Sequence, residues 1–93
     1  MKRIKAKLLE ISDKIHADDM EYSMYTREEF IKELNRNVTS FLAAKSYLEA
    51  MGKECDKLFD EKEDSSYLSI KEDIRLFLFS IQEDILKEQK EKF

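Results

Sequence analysis

A chain with one glycine, Gly52, and no proline has few means of turning sharply. All-β folds and dinucleotide-binding α/β folds place both residues in their turns, so this scarcity points to helices joined by few connections. The abundance of Glu, Lys, Leu, Ala and Ile at helical spacing agrees. With 93 residues, 42% of them apolar, the chain is expected to form one domain, residues 1–93, around one core. It needs neither disulfides nor a structural metal to do so.

Within that frame the last third of the chain carries more apolar surface than one helix face can hold. Ile70, Ile74, Phe77, Leu78, Ile81 and Ile85 recur at steps of three and four and form one stripe. Leu68, Leu76, Phe79, Leu86 and Phe93 fall near the opposite side of the same helix, at about 100° of rotation per residue. A helix apolar on both sides is normally buried on both sides. The second stripe is therefore expected to be covered by something outside the domain. This helix C is read over about 67–90, with Ser69 and Glu72 as a capping box or Ser66 as the alternative cap. Lys87, Lys90 and Lys92 suit its carboxyl end.

The two preceding helices are read as a hairpin. Helix A spans about 2–18, with Ile4, Leu8, Ile11 and Ile15 forming a regular seam widened by Leu9. Helix B spans about 27–59. Thr26 and Glu29 look like its capping box, and Tyr25 and Phe30 like its hydrophobic staple. Its broad apolar face runs from Phe30 to Phe59, and Gly52 inside it suggests a kink or a close approach. Opposite lies a charge-poor strip, Asn35, Thr39, Ala43, Ser46 and Ala50, open to docking by another helix. Between A and B, the segment from Asp18 to Tyr25 loses periodicity. Its Tyr22, Met24 and Tyr25 read either as an end plug or as rim contacts for a partner. The expected architecture is all-α: a three-helix bundle, hairpin A–B with helix C laid across it, with a dimer and exchange of helix C between copies as variants.

Charge narrows the function. The net charge of −4 does not suit a general nucleic-acid binder. Lys2, Arg3, Lys5 and Lys7 crowd the start of helix A, where the helix dipole disfavours them. The acids from Glu54 to Asp64 would offset them if A and B are antiparallel. Nucleic-acid binding through this basic end is the weakest alternative. A lone cysteine, the missing apolar core of a signal peptide and the lack of any apolar stretch of about 20 residues together suggest a cytoplasmic protein.

No motif specifies chemistry. His16 is the single histidine, with Asp13 and Asp19 near it, and no ligand spacing for a metal follows. The acids of 60–64 lack the spacing of a calcium loop. Cys55 lies on the apolar face of helix B, where a thiol is a small hydrophobe more often than a nucleophile. Glu28, Glu29 and Glu33, with Glu72, Asp73, Glu83 and Asp84, could form a small carboxylate–metal hydrolase only if two helices turned them inward together. The leading expectation is therefore a non-enzymatic, cofactor-free module that binds protein stoichiometrically, as an inhibitor, immunity-type protector or adaptor, or as a homodimer. Leu68, Leu76, Phe79, Leu86 and Phe93 would be its anchors, with Thr39, Ala43 and Ala50 offering a second contact strip.

Overall fold

A computed structural model of the chain describes residues 1–92, with the backbone alone for Lys92. Five helices follow one another, and no strand occurs among the described residues: α1 (Lys2–Ile15), α2 (Met24–Asn37), α3 (Phe41–Lys62), α4 (Ser66–Ser80) and α5 (Gln82–Lys92). The all-helical bundle expected from the sequence is present, but its connectivity differs from three helices.

The seam of α1 is buried as its spacing requires: Ile4, Leu8, Ile11 and Ile15 all face the core. The helix ends at Ile15, short of Asp18, and the amide of His16 still bonds to the Ser12 carbonyl at 3.0 Å. The chain then turns around Tyr22. The Tyr22 ring stacks on His16, with centroids 4.7 Å apart, and its hydroxyl donates to Asp13 Oδ1 at 3.0 Å. Arg27 Nε donates to both oxygens of the same carboxylate, at 3.1 and 3.2 Å. Asp13 thus gathers the turn and the first part of α2 onto α1. The cap of α2 is Ser23, not Thr26: Ser23 Oγ accepts from the Thr26 amide at 3.2 Å. Tyr25 is exposed, so no staple with Phe30 forms; the Phe30 ring meets Tyr47 edge-on instead.

The expected helix B is two helices, because the chain breaks at 38–40. Val38 leaves the helical region and is fully buried, and Ser40 begins α3 as its cap. The first amides of a helix have no partner within it, and here those of Phe41, Leu42 and Ala43 each find one before regular helical bonding starts at Ala44. Phe41 and Leu42 donate to the two carboxylate oxygens of Glu88, on α5, at 2.8 and 3.0 Å. Ala43 donates to Ser40 Oγ and Ala44 to the Ser40 carbonyl, both at 3.1 Å. A carboxylate at this end also complements the helix dipole.

That break reverses the bundle's order. α2 lies antiparallel to α1, as the cleft joining Lys2, Lys5 and Leu9 to Ile31, Leu34 and Asn35 shows. α3 then returns in the same sense as α1, so its second half lies by the end of α1, where Met51 and Glu54 line one cavity with Ile15 and His16. The acids from Glu54 to Asp64 are consequently far from Lys2, Arg3 and Lys5, contrary to the antiparallel expectation. The partner of the basic side of α1 is Asp73 on α4. Lys7 Nζ donates to its Oδ1 at 3.1 Å and lies equally close to Oδ2, which receives no well-directed hydrogen bond. Lys14 stands 3.6 Å from Oδ2.

After α3 the chain turns at Glu63, whose backbone is left-handed (φ 53°) and whose amide closes on the Phe59 carbonyl at 2.8 Å. Asp64 Oδ1 accepts from the Ser66 amide at 2.9 Å and starts α4. Neither Ser66 nor Ser69 caps this helix; Ser69 lies inside it, and Glu72 pairs with Arg75. The bend at Ser80–Ile81 is a kink and not a second reversal. The Ile81 amide is shared between the Phe77 and Leu78 carbonyls, both at 3.2 Å, and helical bonding resumes from Ile85 to Ile81 at 3.0 Å. Ser80 Oγ donates back to the Phe77 carbonyl at 2.6 Å, a contact that bends helices. α4 and α5 together line α3 from the Lys71–Asp56 ion pair at one end (2.7 Å) to Glu88 at the other. The single helix C expected over about 67–90 is therefore two helices, α4 and α5, joined by a kink.

Candidate functional site

The bent run α4–α5 presents two apolar sides, and they differ in burial. Toward the core, Tyr67, Ile70, Ile74, Ile81 and Ile85 are buried. Away from it, Leu68, Leu76, Phe79 and Leu86 are exposed at 48, 54, 72 and 48% of their surface. The run of four apolar residues at 76–79 produces this division. A helix can turn only about half of four consecutive side chains inward. Here Phe77 and Leu78 pack against the core while Leu76 and Phe79 point out. Phe93, the fifth expected anchor, lies outside the described residues.

Charges interrupt the outer stripe. Arg75 Nε donates to Glu72 Oε2 at 3.0 Å, and a second contact joins Arg75 Nη2 to Glu72 Oε1. The hydrogen bond from Arg75 holds the Glu72 carboxyl below its ordinary range, and the arginine's own pKa is raised in return. Beside the stripe a cleft of about 320 Å³ opens toward α3, walled by Leu78, Phe79, Ile85 and Leu86, with Lys45 and Arg75 also lining it.

The other expected contacts scatter. Tyr22 is turned inward onto His16 and Asp13, so it acts as a plug. Met24 and Tyr25 are exposed on the first turn of α2. The charge-poor strip is divided by the break at 38–40: Asn35 stays on α2, Thr39 sits in the turn, and Ala43, Ser46 and Ala50 belong to α3. It is no single helix face. Gly52 lies mid-way along an unbroken α3 with open space where a Cβ would stand, so it marks neither a kink nor a close approach.

A larger cavity, about 520 Å³, lies between α1, α2 and α3. Ile15, Phe30 and Met51 line it, with the rings of Tyr22 and Tyr47 and the polar groups of His16, Asp19 and Glu54. Its tyrosine hydroxyls are committed: Tyr47 donates to Glu33 at 2.8 Å, and Tyr22 to Asp13. Burial, followed by hydrogen bonding, pushes the Tyr22 phenol up; burial does the same for Tyr47. His16 Nδ1 lies 3.3 Å from Asp19 Oδ2.

Among the described residues no group of three or more His, Cys, Asp or Glu side chains is placed to hold a metal ion. The two carboxylate sets weighed for a hydrolase are engaged separately, Glu33 with Tyr47, Glu72 with Arg75 and Asp73 with the lysines of α1. Cys55 is a buried free thiol, and burial, reinforced by Asp56 and Glu54, raises its pKa, so the reactive thiolate is disfavoured. Among the described residues no helix is long and apolar enough to cross a membrane.

The residues that sequence reasoning missed are the fasteners: Glu88 of α5, which holds the start of α3, Asp13 of α1, which holds Arg27 of α2, and Ser40 and Ser23 as caps. Ser23 and Ser40 carry a local signal, since serine is a favoured cap. Glu88 carries none, because its partners lie 46 and 47 residues away. No protein-family model, curated protein or solved structure matches this chain.

Proposed function

We propose that this chain works without catalysis, as a stoichiometric protein-binding module whose contact surface is the outer side of α4–α5. The observation that carries the reading is the four exposed anchors, Leu68, Leu76, Phe79 and Leu86, beside a core already filled by other residues. Exposed apolar residues gathered on one face are a common mark of an interaction surface. Large side chains at the middle of such a face supply most of the binding energy. Phe79 is the largest and most exposed of the four, so it is assigned the central role. Binding of this kind serves an inhibitor, protector or adaptor equally well. The lone thiol fits a reducing, cytoplasmic setting.

The test is a photo-crosslinking residue placed at Phe79 in cells that make the chain. The same residue at Glu28, exposed on α2, is the control. A discrete protein adduct at position 79 and none at position 28 is the expected result. No adduct at 79, or equal adducts at both positions, overturns the reading.

A further inference from the structure

We infer that the chain covering the α4–α5 face is a second copy of this one, packed antiparallel about a two-fold axis at Phe79. This inference rests on the protein-binding reading above and adds to it the identity and direction of the partner. Its basis is the order of charges along the exposed face, which runs Glu72, Arg75, Phe79, Glu83, Lys87, all of them exposed. Counted outward from Phe79, the signs are positive then negative toward the amino end. Toward the carboxyl end they are negative then positive.

A two-fold axis at Phe79 with opposed helix directions brings residues on either side of it together. Arg75 then meets Glu83 of the second copy, and Glu72 meets Lys87 of the second copy, each pair occurring twice. Parallel packing would set each charge against its own like, which is repulsive. A self-complementary patch of this kind is what a two-fold dimer requires. At the axis Phe79 meets Phe79 of the second copy, an arrangement aromatic rings favour when offset or edge-on. The cleft walled by Leu78, Ile85 and Leu86 lies directly beside it and is larger than a phenyl ring. Lys45 along that cleft can face an incoming ring. The existing Glu72–Arg75 contact is exposed and within one helix, so re-pairing across the axis gives up little.

Charge reversal tests both partner and direction. By light scattering or sedimentation over a concentration series, the wild-type chain is expected to pass from monomer to dimer. Arg75→Glu alone, and Glu83→Arg alone, should each weaken self-association about tenfold or more, since two facing pairs turn repulsive. The double variant should recover it, and an equimolar mixture of the two single variants should form a mixed dimer. Circular dichroism confirms that each variant remains helical. A wild-type chain that stays monomeric to millimolar concentration overturns the second-copy inference; a crosslinked adduct at 79 of a different mass would then leave the protein-binding reading standing. A dimer indifferent to both reversals, or one that the paired variants fail to restore, overturns the register.

Discussion

α1 and α4 pack on the same core, yet their outer sides are opposites. The buried seam of α1 is Ile4, Leu8, Ile11 and Ile15, and its exposed positions include the charged Lys2, Arg3, Glu10 and Lys14. The buried seam of α4–α5 is similar in kind, but its outer side holds Leu68, Leu76, Phe79 and Leu86. The second carries exposed apolar side chains where the first carries charge. Apolar residues fill the core on one side of α4 and stand exposed on the other; under the proposed function the exposed ones serve recognition.

Equal substitutions on the two helices should therefore give unequal results. Leu8→Ala removes a fully buried side chain and should cost about 3 kcal/mol, read as a lower midpoint in urea. Leu76→Ala deletes the same atoms from an exposed site and should change stability by less than about 0.5 kcal/mol while weakening association. A large loss of stability at Leu76 would mean that the outer side belongs to the core after all.

The next effect concerns how α5 is held. Glu88→Gln keeps the shape but removes the charge that meets the amides of Phe41 and Leu42. It should cost about 1–2 kcal/mol. Protection of the first amides of α3 from hydrogen exchange should fall with it. An unchanged midpoint would remove Glu88 as the fastener and leave Ser40 as the whole cap.

Smaller and opposite in sign is Gly52→Ala. With open space at the Cβ position inside α3, alanine should stabilise by up to about 1 kcal/mol. A destabilised variant would reveal a close approach at Gly52.

The smallest effect is on pH. Hydrogen bonds hold Asp64 and Glu72 below their ordinary values of 3.8 and 4.5. A carboxyl whose pKa is lower folded than unfolded adds stability that is present above its unfolded pKa and lost as pH falls through the folded one. Both groups are fully exposed, so the loss in acid should be slight. Asp64→Asn should flatten it further in a series of melts from neutral pH to about pH 2. A melt as steep in acid for the variant as for the wild type would mean that Asp64 plays no part.

The comparison also explains what the sequence could reveal. The α1 seam and both sides of α4–α5 were legible because a helix that meets one surface must repeat its apolar residues in phase with its turns. The excess at Leu76–Phe79 was visible for the same reason. The break at Val38–Ser40 was not, because the apolar spacing Leu34, Val38, Phe41, Leu42 runs through it in helical phase. What ends α2 there is a cap completed by Glu88 from the far end of the chain. Missing that break reversed the assumed direction of α3 and set the acids of 54–64 beside the wrong lysines. Thr26 has the sequence of a cap, but Ser23, three residues earlier, offers the same hydroxyl and takes the Thr26 amide. The charge-poor strip looked like a face only while α2 and α3 were one helix.

Under the inference drawn above, the outer side of α4–α5, and not the core beneath it, binds a second copy of this chain. The molar mass of the wild-type chain and of Phe79→Glu, measured by light scattering across concentration, tests it most directly. The wild type should rise from 11.1 kDa toward twice that value, while Phe79→Glu stays at the monomer mass and keeps its helical spectrum. A wild type fixed at the monomer mass, or a variant that associates as the wild type does, would contradict it.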